Sequence, residues 1–250
     1  MKKTWLATVL TLSSMTAMAQ TPKCDINIQN ELRLKDNVVS VYQQGKPKVV
    51  IDQNNQIFIN GDKLDLNQLQ QQAVKTYREK VSTYIPKAKE IADQGVELAN
   101  EVIDDVSNSF QDPNSFNNLK QAMNDFYADI ESRYYNNGEW VLKKDAINQA
   151  ISNWKSDSAA AMQRFNGEFF SSAFAVLSKQ MQQDGSVNLS ELQNKLIDLK
   201  ANVQSKLETN SAELQKEANT YCENLQGLAK DEAELRQQIP ELKGYEVFVI

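Results

Sequence analysis

The clearest structural signal in the chain is carried by residues 48–66, KVVIDQNNQIFINGDKLDL. Two short apolar runs, Val49–Ile51 and Ile57–Ile59, flank a polar turn, and Asn60-Gly61 follows as the strongest short hairpin signal. At Asn67 the hydrophobic period changes from about 2 to about 3.6 residues, which predicts the start of a long amphipathic helix. The stretch therefore predicts antiparallel strands that lead directly into a helical body.

Upstream of this stretch, alternating apolar residues extend the β pattern back to Cys24, so residues 24–66 predict four or five short antiparallel strands. A meander of this size is marginally stable alone and needs an apolar partner. The predicted fold class is α+β, predominantly α, with a small N-terminal antiparallel β-meander packed on a body of long amphipathic helices. The tail also has β character, so it could add a strand to the sheet or remain a loose apolar terminus.

Downstream of Asn67, apolar residues recur at steps of three and four and predict four helices. The first runs to about Phe110, with a kink or break expected at Pro86. The others are predicted at residues 115–135, 140–181 and 189–239, and Asn136-Asn137-Gly138 forms the turn between the second and the third. The chain is thus divided into a signal peptide (1–19), the β-meander (20–66), the long-helix body (67–239) and the tail (240–250).

The N-terminus has the three parts of a Sec signal peptide. Lys2 and Lys3 are basic, residues 5–12 are apolar, and Ala17-Met18-Ala19 is a small-residue cleavage site. The apolar stretch is too short to stay in a bilayer, no later segment could serve as an anchor, and Cys24 lacks a preceding lipoprotein motif. We expect a soluble protein without an integral membrane anchor, exported to a bacterial periplasm.

The two cysteines, Cys24 and Cys222, are the only ones in the chain. An even number of cysteines in an exported protein predicts a disulfide. The bond would join the start of the mature chain to a point near its end. A redox-active pair would instead need a C-x-x-C motif or a thiol of low pKa, and the sequence indicates neither.

The composition excludes several classes of function. The 250 residues include no histidine, which excludes Ser-His-Asp catalysis and His-ligated metal sites. Two cysteines cannot build a four-thiolate site, and we expect no cofactor. With 27 basic and 33 acidic residues, the net charge of -6 argues against nucleic-acid binding. Chemistry based on carboxylates, lysine or tyrosine stays open.

Four acidic residues form a weak candidate for a cation site. Glu97, Glu101, Asp104 and Asp105 lie within two turns of the first helix, and Glu97 and Glu101 share a face at i,i+4 spacing. Carboxylate oxygens in this arrangement could bind a divalent cation. The alternative is a solvated acidic face.

Four phenylalanines form a candidate apolar interface. Phe165, Phe169, Phe170 and Phe174 make two pairs at i,i+4 spacing, and residues 169–177 are apolar or small nearly all round. A helix of this kind is usually buried centrally. The functional alternative is a groove or oligomer interface for an apolar partner.

The junction between the strands and the first helix resembles a known family. The pattern consists of Val50-Ile51-Asp52, a polar turn, residues 57–66, then Gln71, Tyr77 and the helical residues 81–86. Together with the signal peptide, an early cysteine and a late cysteine, it resembles the YggN-like family (DUF2884) of exported bacterial proteins of unknown function. The resemblance covers most of the chain. It implies a periplasmic protein and no established activity, cofactor or catalytic residue.

Two functions of different classes fit the sequence. The first is a periplasmic non-enzymatic protein that uses its helical surface as a binding, assembly or chaperone-like module, with an unknown envelope protein or ligand as its partner. The absence of a catalytic signature favours it. The alternative is a carboxylate-based hydrolase acting on an envelope polymer, for which the sequence offers only the compartment and the available Asp and Glu residues.

Overall fold

The computed structural model describes residues 24–109, 114, 116–184 and 189–250, and within residues 151–211 it describes only some of the side chains. The predicted signal peptide, residues 1–19, lies outside these ranges. The strands are β1 (Asn27–Ile28), β2 (Glu31–Lys35), β3 (Val38–Gln43), β4 (Lys46–Ile51), β5 (Ile57–Ile59), β6 (Asp62–Lys63), β7 (Tyr135–Asn136), β8 (Glu139–Leu142) and β9 (Phe248–Val249). The helices are α1 (Gln68–Ser109), α2 (Asn117–Ser132), α3 (Ala146–Asp184) and α4 (Leu189–Gln238), and a 3-10 turn follows at Pro240–Leu242.

Seven of the strands, β2 to β8, form one antiparallel sheet in the order β6-β5-β4-β3-β2-β8-β7. Its tight turns use left-handed residues, such as Asn60 (φ 52°) and Gly61 (φ 96°) between β5 and β6, which suits a type I′ hairpin. Side chains alternate along β2, where Leu32 and Leu34 are buried and Arg33 between them is partly exposed. The sheet therefore has one apolar face that must be covered.

The extent of this sheet shows that the predicted fold class is wrong, because the β structure is not a small N-terminal meander. The hairpin β7–β8, which lies between α2 and α3, joins the sheet beside β2, with Leu34 opposite Trp140 and Leu32 opposite Leu142. The helix predicted from Trp140 therefore begins only at Ala146. The prediction failed because Trp140–Leu142 is continuously apolar, without the alternation of a strand, and its partner strand is far away in sequence.

The C-terminal tail forms a strand, but outside the large sheet. β9 pairs antiparallel with β1 in a separate two-stranded sheet, with Asn27 opposite Val249 and Ile28 opposite Phe248. Ile28 and Phe248 are buried. The two ends of the described chain therefore lie side by side in one core.

The first long helix begins where the hydrophobic period changes. The Asn67 side chain accepts a hydrogen bond from the Gln70 N–H at 3.0 Å, and the Gln70 side chain accepts one from the Asn67 N–H at 3.0 Å. This capping box satisfies two N–H groups at the helix start. α1 continues through Pro86 without a break. A proline inside a helix costs about 3 kcal/mol, and the buried side chain of Ile85 beside it shows that tertiary packing holds the helix there.

Two apolar cores lie at different levels of α1. In the larger core, α1 and α4 cover the apolar face of the sheet. Its buried members from the four long helices are Val74, Tyr77, Val81, Ile85, Ala146, Leu225, Leu228, Ala229 and Leu235, and Ile239 follows directly after α4. The smaller core joins α1, α2 and α3; its buried members are Ile103, Val106, Phe116, Leu119 and Val176. α1 therefore connects the sheet with the helical hairpin formed by α2 and α3.

The predicted disulfide is confirmed. Cys24 and Cys222 are bonded, with their Cα atoms 5.4 Å apart and a sequence separation of 198. The bond ties the segment before β1 to α4 at the edge of the larger core. Within the described residues, no helix has an apolar stretch long enough to cross a membrane.

Replacing both cysteines (Cys24→Ser with Cys222→Ser) is expected to lower the free energy of unfolding by about 3–5 kcal/mol. The disulfide closes a very long loop, and its loss lets the unfolded chain explore many more conformations. Urea denaturation of the oxidised protein and of the double variant measures the difference. Reduced wild-type protein should unfold at the same midpoint as the double variant, and equal midpoints for the oxidised protein and the variant would contradict the expectation.

Two glycine substitutions are expected to act in opposite directions. Gly138 in the β7–β8 turn has φ +78°, whereas Gly95 lies inside α1. At either position, an added Cβ atom would meet no other atom within 4 Å. Gly138→Ala should therefore destabilise the protein by about 1 kcal/mol, because alanine is strained in the left-handed region. Gly95→Ala should stabilise it by about 0.5–1 kcal/mol. Thermal unfolding of both variants checks the signs, and a neutral Gly138→Ala would argue against this hairpin.

Candidate binding groove between α1 and α4

Beyond the edge of the sheet, the surfaces of α1 and α4 form an open groove. It consists of two adjoining hollows of about 540 and about 270 Å³. The larger hollow is lined by Lys87, Ala212, Glu213, Lys216, Glu217, Thr220, Tyr221 and Asn224. The smaller hollow is lined by Gln94, Glu97, Leu98, Glu101, Asn210, Glu213, Leu214 and Glu217. Because Glu213 and Glu217 line both, the two hollows are neighbours, and we call them together the α1–α4 groove.

Some charged side chains of the α1–α4 groove make an ion pair and others do not. Among the described residues, Glu97, Glu213 and Glu217 make no ion pair, and one buried oxygen of Glu217, Oε2, has no hydrogen-bond partner. Lys87 is held by Glu90 at 2.7 Å. That hydrogen bond is the main cause of the raised pKa of Lys87, and the charge of Glu217 contributes least. The groove therefore combines several carboxylates with two lysines, Lys87 and Lys216, and with the apolar side chains of Leu98 and Leu214.

The predicted acidic cluster is divided between two environments. Glu97 and Glu101 line the groove, whereas Asp104 pairs with Lys120 of α2 at 2.5 Å. Asp105 also has an interaction partner. In the parts of the chain that the structure describes, no group of three or more Cys, Asp or Glu side chains is placed to hold a metal ion. A cation site at these four residues remains a prediction.

The predicted phenylalanine interface is likewise divided. Phe165 meets Phe126 edge-to-face with ring centroids 6.2 Å apart, and Phe169 lies 5.6 Å from Phe116. Both rings pack against the smaller core, so they stabilise the α2–α3 hairpin. Phe174 is 74% exposed, and the side chain of Phe170 is outside the described set. An apolar interface on this helix remains a prediction that depends on Phe174.

A network of four polar side chains joins α1 to α2, and the sequence analysis did not identify it. Lys89 Nζ lies 2.8 Å from the Tyr127 hydroxyl, 2.9 Å from Asp93 Oδ1 and 3.1 Å from Glu131 Oε1, and Tyr127 also donates to Asp93. The hydrogen bond with Tyr127, then that with Asp93, raises the pKa of Lys89. Burial, then the hydrogen bond to Asp93, raises the pKa of Tyr127. A lysine or tyrosine that acts as a base or nucleophile needs the opposite shift, so this network holds the helices together.

The most strongly perturbed carboxyl group of the described residues is Glu232 in α4. It is 5% exposed, and burial raises its pKa to about 7, although hydrogen bonds from the Val247 and Phe248 backbone N–H groups oppose the shift. A raised carboxyl pKa is a common property of catalytic acids. Glu232 does not line the groove, however, and both of its oxygens accept backbone N–H groups of the tail. Its role is therefore to anchor the tail.

Residues 24–248 match the model of a protein family described as "Protein of unknown function (DUF2884)". The chain belongs to this family. No curated protein and no solved structure matches the chain. The DUF2884 match spans the sheet, all four helices and most of the tail, so the disulfide, the groove and the Glu232 anchor all lie within the family region. The narrower YggN-like name remains a resemblance.

Neutralising the groove carboxylates of this DUF2884 protein is expected to stabilise it. The triple variant Glu97→Gln, Glu213→Gln and Glu217→Gln removes three like charges that have no ion-pair partner, at roughly a few tenths of a kcal/mol each. The gain should shrink as salt screens the repulsion. Urea denaturation at low and high ionic strength measures it, with the exposed Glu223→Gln outside the groove as a near-neutral control. A destabilised triple variant would show that these carboxylates support the fold.

Proposed function

We propose that this protein acts in the bacterial periplasm as a non-enzymatic binding module and that its partner lies in the α1–α4 groove. The observation that carries the proposal is a groove that combines the apolar side chains of Leu98 and Leu214 with three carboxylates, Glu97, Glu213 and Glu217, that make no ion pair with the described residues. Carboxylates that lie close together and make no ion pair repel one another and oppose folding. Proteins commonly retain such a feature where function requires it, at the expense of stability.

The chemistry of the groove favours a basic, partly apolar segment as its occupant. Carboxylates of Glu97, Glu213 and Glu217 attract lysine or arginine side chains, and Leu98 and Leu214 provide apolar contact. From Lys87 to Glu101, α1 extends about 20 Å at 1.5 Å per residue. An elongated groove of this length suits a peptide segment better than a single ion.

The periplasmic location is supported by two independent features. The sequence predicts a cleavable signal peptide, and the disulfide between Cys24 and Cys222 is typical of an oxidising compartment. The hydrolase alternative receives less support. A pair of catalytic carboxylates needs access to substrate and one member with a raised pKa, whereas Glu232 is buried and occupied by the tail.

Site-specific photo-crosslinking in cells tests the proposal. A photoreactive amino acid at Gln94 or Thr220, two groove positions, should give an adduct in the periplasmic fraction, and the crosslinked peptide should be rich in lysine or arginine. The same amino acid at the exposed Glu223 outside the groove should give none. The triple glutamine variant should lose the adduct, because the attraction between charges is removed. Absence of adducts at both groove positions, or equal adducts at Glu223, would overturn the proposal.

A further inference from the structure

The α1–α4 groove follows the register of two antiparallel helices. Lys80 of α1 pairs with Asp231 of α4 at 2.6 Å. Steps of seven residues from this ion pair, toward the C-terminus of α1 and the N-terminus of α4, give three further pairs of opposite positions. The two members of each pair line the same hollow: Lys87 and Asn224 the larger, and Gln94 and Glu217 as well as Glu101 and Asn210 the smaller. A seven-residue repeat is the period of a coiled coil, so the two helices keep one register along the whole groove.

The groove has the form of a helical pair that could accept a third helix. All described residues that line the two hollows belong to α1 or α4. Leu98 and Leu214 line the smaller hollow and Tyr221 lines the larger, and all three side chains are partly buried. In a three-stranded coiled coil, each helix inserts its apolar side chains between those of the other two. The groove thus offers apolar contacts to one face of a further helix.

A helical occupant fits these walls better than an extended one. The backbone N–H and C=O groups of the walls are already used inside α1 and α4, so the groove offers an occupant only side chains. An extended peptide would lose water from its backbone groups without gaining the hydrogen bonds that a sheet edge provides. An α-helix satisfies those groups internally. From Asn210 to Asn224, α4 rises about 21 Å, which corresponds to about four turns.

The two ends of the groove differ in charge. The smaller hollow is lined by four glutamates and, among its described residues, by no lysine or arginine; the glutamates are Glu97, Glu101, Glu213 and Glu217. The larger hollow shares Glu213 and Glu217 but adds Lys87 and Lys216. Basic side chains of an occupant therefore belong beside the smaller hollow, where the opposite charges attract them.

We propose that the partner in the α1–α4 groove is a basic amphipathic α-helix of about four turns, which packs against α1 and α4 as the third helix of a bundle. This rests on the binding role proposed for the groove and adds the conformation of the partner. The apolar face of the partner helix contacts Leu98, Leu214 and Tyr221, and its lysine or arginine side chains reach the glutamates of the smaller hollow.

Three synthetic peptides of about 18 residues test the conformation of the partner. The first contains leucine, lysine and alanine, with the leucines at helical spacing. The second has the same composition in a scrambled order without that period, and the third is the first with a central alanine replaced by proline. Fluorescence anisotropy with the full oxidised chain measures binding. The scrambled peptide should bind about tenfold more weakly than the first, and the proline peptide about 100-fold more weakly, because proline breaks the helix.

Variants of the protein test where the first peptide binds. Leu214→Ala should weaken its binding about tenfold, because apolar contact is lost. The triple variant Glu97→Gln, Glu213→Gln and Glu217→Gln should also weaken binding, because the attraction between charges is removed. Leu69→Ala, at an exposed leucine of α1 outside the groove, should bind the peptide as the wild type does.

The carbon-13 shifts of the labelled first peptide should become helical when it binds. Equal binding of all three peptides, extended shifts in the bound peptide, or unchanged binding in Leu214→Ala would overturn the helical partner and leave a basic segment in the groove possible. If none of the three peptides binds, the helical partner is likewise overturned. The crosslinks at Gln94 and Thr220 then decide separately whether another basic segment occupies the groove.

Discussion

The need to cover the apolar face of the sheet governs the rest of this structure. The buried side chains of β2 to β5 present a continuous apolar surface, and the first part of α1 and the last part of α4 pack on it. Since α4 is the last long helix, this packing brings the end of the chain to its beginning. The disulfide from Cys24 to Cys222 and the pairing of β9 with β1 are consequences of that proximity.

The same constraint explains where the α1–α4 groove lies. Up to Ile85 on α1 and Leu225 on α4, the two helices share the larger core with the sheet. Past the sheet, the facing residues become charged or polar, beginning with Lys87 and Asn224. Farther along, from Ile103, α1 packs instead with α2 and α3, where the pair between Lys120 and Asp104 provides a polar contact. The groove therefore occupies the interval between two regions of apolar packing.

The candidate site was only partly predictable from the sequence. Glu97 and Glu101 could be placed on one helix face because their i,i+4 spacing is local. Glu213 and Glu217 come from a helix more than a hundred residues later, so no local pattern indicates that they face the first pair. Glu232 gave no signal either, since an Asp-Glu pair in an amphipathic helix usually means a solvated face. Its burial and its raised pKa depend on the tail that covers it.

The local sequence was sufficient to predict the strand–turn–strand pattern of residues 48–66, the start of α1 at Asn67 and the amphipathic character of the helices. These features depend on conformational propensity and on the hydrophobic period, which both act over a few residues. The cysteine pairing could also be deduced, since only two cysteines are available. Long-range packing determined the remaining features. It placed Trp140–Leu142 beside β2, kept α1 continuous through Pro86, and packed the partly buried Phe165 and Phe169 against the smaller core while leaving Phe174 exposed. Each of these outcomes depends on partners distant in sequence, whose contact energies exceed the local preferences of a few residues.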